Sequence, residues 1–314
     1  MLIPALPAGV SVFERGWLSA NNILLRPTPG LCGGEGTTAL IDTGYCTHAT
    51  QTVALVEQAL GTQPLDLVLN THLHSDHCGG NAALQARYPA AQTAIPPGQA
   101  RFIQPWDANA LSYTPTGQEC PPFRADQLLQ PGQDIQLGTS RWQIHAAPGH
   151  DPHAVVLFEP QARVLVSADA LWQNGFGVVF PELEGEHAFT EVGATLDLIE
   201  ALAPLVVIPG HGSVFTDVAA ALERARRRLD GFMQAPRKHA HYAAKVLLKF
   251  KLLELQRVPC ADLCAWSAQT PYFRTLHSTH FSDTDPLARW AQALVDDLVR
   301  SGAAVRDGLD VLNQ

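Results

Sequence analysis

The stretch LVLNTHLHSDHCGGN, residues 67–81, places three histidines and one aspartate within six positions, directly after a short apolar run. A single histidine in a globular protein is usually a hydrogen-bonded, partly buried side chain, whereas this spacing is rare by chance. In α/β sheets a rigid scaffold holds the loops at strand ends, so binding sites assemble there. The stretch therefore predicts an α/β protein with a site at the end of this strand.

Three further ligand-bearing stretches also follow apolar runs that predict strands. They are APGHD after WQIHA, SADAL after RVLV and PGHG after LVVI. Because all four stretches lie at strand ends, we expect them to converge. Together they supply five imidazoles and two carboxylates: His72, His74, Asp76, His77, His150, Asp169 and His211. This set exceeds the needs of one tetrahedral ion and suits two metal ions that share a bridging carboxylate and a bridging water.

The chain changes character near residue 216. Up to that point short apolar runs alternate with Gly, Pro and Asp turns and with helical stretches, as in an α/β domain (1–216). From residue 217 the strand signals end and helical periodicity takes over, so residues 217–314 predict a second, mostly helical domain. Near the end, Asp307 and Gly308 stand between two short apolar strands and predict a tight hairpin. Helices followed by a hairpin indicate a winged-helix-like module.

Length and composition limit the class of protein. At 314 residues and 46% hydrophobic content, the chain can bury a full core and a smaller second one. It lacks an apolar run of the roughly 20 residues that span a bilayer. The six cysteines contain no C-x-x-C pair and are too few for a disulfide scaffold. The start has no basic region that would indicate a signal peptide, so we expect a soluble, cytoplasmic protein.

Charge is distributed unevenly along the chain. Residues 1–223 carry 7 Lys/Arg and 21 Asp/Glu, whereas residues 224–257 carry 10 Lys/Arg and 2 Asp/Glu. This basic segment admits three interpretations: it binds an anionic substrate, it contacts nucleic acid, or it packs on the acidic domain. The overall net charge of −9 argues against nucleic acid as a partner.

The motifs THLHSDHCGG, APGHD, SADAL and PGHG, in this order, resemble those of the metallo-β-lactamase fold superfamily of metal-dependent hydrolases. The likeness covers most of residues 10–216. It implies an αβ/βα sandwich with the metal site at one edge, followed here by the helical, winged-helix-like domain. It also implies the ligand sets: His72, His74 and His150 for the first metal ion, Asp76, His77 and His211 for the second, and Asp169 as the bridge.

The resemblance implies further roles around these ligands. Asp42, in the ALIDTG strand, would orient the first metal loop, and His153 would be a supporting residue rather than a ligand. Zinc is the expected metal, with iron or manganese as alternatives, since all three accept mixed His and Asp ligands. A hydroxide that bridges the two ions would attack the substrate, and Asp76 would accept or relay a proton.

The substrate is less well defined by the sequence. The aromatic stretch after Asp169 predicts a cleft wall made by Trp172, Phe176 and Phe180. In the hydroxyacylglutathione hydrolase branch of the superfamily, basic and tyrosine side chains on C-terminal helices hold an anionic thiol carrier. This chain offers side chains of the same character: Arg237, Lys238, Tyr242 and Lys245. They would bind glutathione carboxylates or coenzyme A phosphates.

Three functions remain open at this point. The first is an acyl hydrolase that cleaves an ester, thioester or lactone in a small, anionic substrate. The second is a phosphodiesterase or endoribonuclease in which the basic helices contact nucleic acid. The third is an iron-dependent oxidoreductase that uses the same ligands. A homodimer through the C-terminal region is a further hypothesis, and no membrane association is expected.

Overall fold

The computed structural model of the protein describes residues 6–28 and 36–314. Within these ranges the chain forms two compact units. The first unit runs to Leu229, except for residues 112–118, which belong with Asp230–Gln314 to the second unit. The helix that begins just after residue 217 therefore lies mostly in the first unit. Among the described residues, none lies in a helix that is both long and apolar enough to cross a membrane.

The first unit is built on two sheets. The strands of the first sheet, in spatial order, are β1 (Val10–Phe13), β2 (Asn22–Leu25), β3 (Ala39–Ile41), β4 (Leu67–Leu69), β5 (Gln92–Ile95) and β6 (Gln127–Leu128). Pairing is antiparallel from β1 to β3 and parallel from β3 to β6. The strands of the second sheet are β7 (Asp134–Leu137), β8 (Ser140–Ala146), β9 (Val155–Glu159), β10 (Val164–Ala168) and β11 (Val206–Pro209). In that sheet β11 lies beside β10 and parallel to it, and the other pairs are antiparallel.

Helices connect the strands, and some of them pack on the outer face of the first sheet. Up to residue 234 they are α1 (Ala49–Leu60), α2 (Ser75–Cys78), α3 (Asn81–Arg87), α4 (Ala100–Ile103), α5 (Tyr113–Thr116), α6 (Phe180–Leu183), α7 (Ala188–Leu202) and α8 (Val218–Gln234). Helix α1 buries Thr52, Val56 and Leu60, which are spaced four residues apart and so share one face. It ends at Gly61, whose φ of 58° favours glycine.

The core lies between the two sheets. Because side chains alternate along a strand, Ile23 of β2 packs in one cluster with Leu157 and Val166 of the second sheet. Leu24, its neighbour, points to the opposite face and packs with Val56 of α1. The sheets therefore face each other with helices outside the first one, and α7 makes the crossover that the parallel β10–β11 pair requires. This arrangement confirms the expected mixed α/β fold.

The second unit is mostly helical. Its remaining elements are α9 (Pro236–Leu255), β12 (Arg257–Pro259), α10 (Cys260–Gln269), α11 (Pro271–His280), α12 (Leu287–Arg300), β13 (Ala304–Asp307) and β14 (Asp310–Asn313). The predicted terminal hairpin is present, with Asp307 opposite Asp310 across the turn. Strand β12 also pairs with β14, which the sequence did not predict, because three residues carry too little periodicity to recognise. The likeness to a winged helix stays a prediction.

Candidate metal centre

The four ligand-bearing stretches follow four strand ends in the first unit. Strands β4, β8, β10 and β11 end at Leu69, Ala146, Ala168 and Pro209, and the metal-ligand candidates follow within a few residues. The register of β10 against β11 shifts between Val166 and Ala168, and Ala168 has a positive φ of 47°. Such a bulge bends the strand and redirects the next side chain, here Asp169, out of the sheet.

Three histidines form the first group. Their nitrogens lie close together: His74 Nδ1 is 3.1 Å from His72 Nε2 and 2.8 Å from His150 Nε2. The three ligand atoms therefore all lie within 4.8 Å of one another. His72 is 1% exposed and His150 is 8% exposed, so both rings are largely withdrawn from bulk solvent. This geometry suits a metal ion bound by three imidazoles.

A carboxylate and two histidines form the second group. His211 Nε2 lies 3.1 Å from Asp76 Oδ2, and His77 Nε2 lies 3.9 Å from the same oxygen. The ligand atoms of these three residues also fall within 4.8 Å of one another. The structure thus brings together the two sets that the resemblance implied, from loops up to 135 residues apart.

Asp169 lies between the two groups. Its Oδ2 is 3.4 Å from His150 Nε2 in the first group. Its Oδ1 is 3.4 Å from His77 Nε2 and 3.8 Å from His211 Nε2 in the second group. Each carboxylate oxygen therefore faces a different group, which is the arrangement of a carboxylate that bridges two metal ions.

The surroundings of the His77 ring show whether a cation fits among these side chains. Its Nδ1 lies 2.7 Å from Asp42 Oδ2, which places a proton on Nδ1 and leaves Nε2 as the atom that a proton or a metal ion can occupy. His77 Nε2 is buried and has no hydrogen-bond partner among the described residues, yet it faces oxygens of Asp169 and Asp76. A lone pair that faces two carboxylates is repelled by them, and a cation between them removes the repulsion. The residues present therefore fit a divalent metal ion.

The pKa values of His77 and His150 are shifted in opposite directions. Burial lowers the pKa of His77, but Asp42, Asp169 and Asp76 together raise that pKa well above its ordinary value. Burial and the neighbouring imidazole of His74 lower the pKa of His150 to about 4. His150 is therefore neutral near pH 7, which is the form of imidazole that binds a metal.

Asp42 holds the first metal loop in place. Its Oδ1 accepts a hydrogen bond from the Thr71 main-chain nitrogen at 2.9 Å, and its Oδ2 accepts from Thr71 Oγ1 at 2.9 Å. It also contacts His77, as described above, and it is 1% exposed. Asp42 therefore orients the loop and one ring, as the resemblance implied for it.

Two glycines allow the ligands to approach the backbone. A Cβ atom at Gly210 would lie 2.2 Å from Asp169 Oδ1, and one at Gly177 would lie 2.3 Å from His150 Nδ1. With glycine at position 177, His150 Nδ1 donates a hydrogen bond of 2.5 Å to the carbonyl of Val178. Both close approaches leave room only for glycine, because a side chain would displace a ligand.

His153 is exposed and belongs to none of the ligand groups of the described residues. Its main-chain nitrogen donates to Asp151 Oδ1 at 2.7 Å. Asp151 is a site residue that the sequence did not reveal: it is 3% exposed, and its Oδ2 lies 3.8 Å from His74 Nε2. The available signal was its place directly after His150, since ligand histidines commonly pair their second nitrogen with a carboxylate.

Of the three residues predicted to form an aromatic wall, two border the ligand groups and one is buried. The ring of Phe180 lies 5.2 Å from His74, and the ring of Trp172 lies 5.5 Å from His211, so each borders one group. Phe176 is 1% exposed, with the Arg228 guanidinium 5.5 Å from its ring, so it has no surface to offer a substrate. The sequence missed Trp17, which precedes β2 and stacks on His211 with ring centres 5.4 Å apart.

The predicted carrier-binding residues lie in the second unit. Arg237 pairs there with Asp283 at 3.0 Å, and the ring of Tyr242 lies 5.8 Å from that of Phe232. Lys238 is exposed and Lys245 is half-buried. Farther upstream, Arg226 of α8 pairs with two acidic residues of α7 within the first unit, at 2.6 and 2.7 Å. Part of the basic segment is therefore neutralised locally.

Comparison with known proteins agrees with this geometry. The sequence pattern of the metallo-beta-lactamase superfamily matches residues 15–211. A hydroxyacylglutathione hydrolase from Brucella anthropi is 26% identical over 164 residues, which cover 52% of this chain and 51% of that protein. An acyl-coenzyme A thioesterase from Gallus gallus is 26% identical over 164 residues, covering 49% of this chain and 59% of that protein. The chain thus spans about half of the length of these curated relatives.

Solved structures show the same fold at low identity. A beta-lactamase domain protein from Burkholderia ambifaria superposes with a TM-score of 0.59 at 21% identity, covering 99% of this chain and 94% of that one. A metallo-beta-lactamase family protein from Thermus thermophilus gives a TM-score of 0.57 at 20% identity, covering 99% and 100%. The family pattern covers more than half of the chain and includes all seven ligand candidates. The chain therefore belongs to the metallo-beta-lactamase superfamily.

Proposed function

We propose that this protein is an acyl hydrolase that cleaves ester or thioester bonds with two divalent metal ions. The observation that carries the proposal is Asp169, whose two oxygens face the two ligand groups at 3.4 Å each. A mononuclear site would not need a buried carboxylate between two separate sets of ligands. The activities of the curated relatives, hydroxyacylglutathione hydrolysis and acyl-coenzyme A thioester cleavage, support the choice of an acyl substrate.

The proposed ligands are the seven side chains predicted from the sequence, with zinc as the first choice of metal and iron or manganese as alternatives. When bound, two such ions lower the pKa of a water molecule and polarise the carbonyl oxygen of the substrate. In the hydrolysis, the bond from the carbonyl carbon to sulfur or oxygen breaks, and a bond to the oxygen of water forms. The proton that water loses passes to the leaving thiolate or alkoxide.

Asp76 is the proposed carrier of that proton. Its side chain is 14% exposed, against 7% for Asp169, so it is the carboxylate of the site that solvent reaches more readily. His211 Nε2 holds one of its oxygens at 3.1 Å, which fixes the orientation of the carboxylate. An ionised carboxylate in this position accepts a proton from water and returns it to the leaving group.

The finer substrate assignment is a thioester of an anionic carrier, such as glutathione or coenzyme A. Arg237, Lys238, Tyr242 and Lys245 are the proposed carrier contacts. Because Arg237 already pairs with the exposed carboxylate of Asp283, binding an anion there exchanges one exposed ion pair for another, which changes the free energy little. Lys238 is exposed and offers the more direct charge. The local pairing of Arg226 weakens the competing nucleic-acid interpretation.

Metal analysis joined to initial rates tests the proposal. The protein is reconstituted with zinc, iron or manganese and assayed on an acyl-glutathione, an acyl-coenzyme A, a lactone, a p-nitrophenyl ester and bis-p-nitrophenyl phosphate. We expect about two metal ions per chain and turnover of the acyl substrates. His145→Ala, on β8 and outside the ligand groups of the described residues, is the control for loss of a histidine. Phosphodiester cleavage alone, or one iron per chain without hydrolysis, would contradict the proposal.

A further inference from the structure

Trp17 is an exposed tryptophan at the metal site. It is 57% exposed, although its ring stacks on His211 at an interplanar angle of 13°. It also meets the ring of Trp172 edge to face, with ring centres 5.3 Å apart. Tryptophan has a larger apolar surface than other side chains. An indole exposed to water beside a metal site therefore indicates a surface that a ligand covers.

Trp172 is fixed by its own hydrogen bonds. Its indole Nε1 donates to Asp169 Oδ1 at 3.2 Å, the oxygen that faces the second ligand group. Its main-chain nitrogen donates to the carbonyl of Gly175 at 2.6 Å, which closes a tight turn over residues 172–175. Gly175 has a φ of 123°, which favours glycine. The second indole is therefore held at a set position beside the proposed bridging carboxylate.

Two arginines of α8 donate hydrogen bonds to the backbone of this turn. Arg224 Nε donates to the carbonyl of Gln173 at 2.7 Å, and a guanidinium nitrogen of Arg228 donates to that of Asn174 at 3.4 Å. The arginines are four residues apart and so share one face of the helix. Part of the basic segment thus supports the turn that presents Trp172. A rigid wall loses little conformational entropy when a ligand binds to it.

We propose that Trp17 and Trp172 form the subsite for an apolar acyl group of the substrate. The inference rests on the proposed function and adds a substrate class: thioesters or esters whose acyl group carries a hydrocarbon chain. The two rings border His211 and Asp169, so a substrate whose carbonyl group reacts at the proposed metal centre brings its acyl group within reach of the indoles. Indole faces bind methylene groups by removing apolar surface from water.

The test is a series of thioesters that share one thiol and differ in the acyl group, from acetyl through butanoyl to hexanoyl. Each fully buried methylene strengthens binding about fourfold. The indole wall covers the acyl chain on one side only, so the four extra carbons of hexanoyl should strengthen binding about tenfold relative to acetyl. We expect kcat/KM to rise by this factor in the wild type. Trp17→Ala should remove most of the hexanoyl-to-acetyl ratio, and Trp17→Phe should keep most of it.

Leu205→Ala is the matched control, because Leu205 is 48% exposed and stands before β11, at the end of that strand opposite to His211. It should keep the wild-type ratio. A ratio that Trp17→Ala leaves unchanged, or that Leu205→Ala lowers equally, would overturn the subsite. A second series keeps the acetyl group and varies the thiol. A Trp17→Ala effect that follows the thiol in that series would overturn the assignment to the acyl group.

Binding to the zinc-loaded protein separates this inference from the proposed function. Calorimetry compares acetate with hexanoate, which resemble the acid product and need no turnover. Hexanoate should bind about tenfold more tightly than acetate in the wild type and about equally in Trp17→Ala. If no thioester is cleaved, the proposed function fails while these affinities still decide the subsite. Equal affinities in the wild type would overturn the subsite even in an active hydrolase.

Discussion

The two units of the molecule use histidine differently. In the first unit five histidines from three loops come together in buried ligand groups at strand ends. In the second unit His239, His241, His277 and His280 lie on helices, and none of them belongs to a ligand group of the described residues. His241 pairs with Asp297 at 2.8 Å, an interaction open to solvent. A metal site thus depends on where the backbone ends its strands and less on how many histidines a region contains.

The largest effect is expected when Asp169, the proposed bridging carboxylate of the first unit, is removed. Asp169→Ala should lower kcat by about 10³-fold or more, because the loss of a metal ion removes several kcal/mol of transition-state stabilisation. Metal content measured by elemental analysis should fall in the same variant, with thermal unfolding showing that the fold persists. His277→Ala, in the second unit, is the control and should keep both values. Full turnover in Asp169→Ala would refute the assignment of the bridge.

A smaller effect is expected from the carboxylate that supports His77. Asp42→Asn keeps the shape but loses the charge that faces His77 Nδ1 at 2.7 Å. Metal affinity should fall about 10- to 100-fold, as is usual when the partner of a ligand histidine is changed. Competition with a chromophoric chelator measures this affinity. Unchanged affinity would show that Asp42 only shapes the loop through Thr71.

Asp151 should matter less than Asp42. Its oxygen lies 3.8 Å from His74 Nε2, farther than a hydrogen bond, so its support for that ring is mainly electrostatic. We expect Asp151→Asn to weaken metal binding by up to about tenfold. The absorption spectrum of the cobalt-substituted protein should shift, since the ligand field at the first group changes. A loss larger than that of Asp42→Asn would reverse this ranking.

The smallest expected effect lies in the second unit. Arg237→Ala combined with Lys238→Ala should raise KM for anionic thioesters about three- to tenfold, since exposed charges contribute up to about 1 kcal/mol each. The KM for a neutral lactone should stay constant, which makes the lactone the internal control. The effect should shrink with added salt, because exposed charges are screened. Equal losses on both substrates would contradict a role in anion recognition.

Much of the site was predictable because its motifs are local. The loop at residues 72–77 carries four of the seven ligand candidates, and such a density of histidine and aspartate after an apolar run seldom arises by chance. Asp42 and the strand-end position of Asp169 also followed from short motifs. Trp17 did not, because a lone tryptophan has no periodic pattern, and only its neighbours in space give it a role. Asp151 stands directly after His150 in the APGHD motif, but its closeness to His74 is set by the fold.

The sequence by itself determined the mixed α/β character, the ligand inventory and the terminal hairpin, since these depend on residue type and near neighbours along the chain. Only the tertiary structure decided which way each oxygen of Asp169 faces, and that Trp17 stacks on His211. It also showed that arginines of α8 pair locally or hold a turn. The physical reason is that these contacts join residues far apart in sequence, and packing of the two sheets sets their distances.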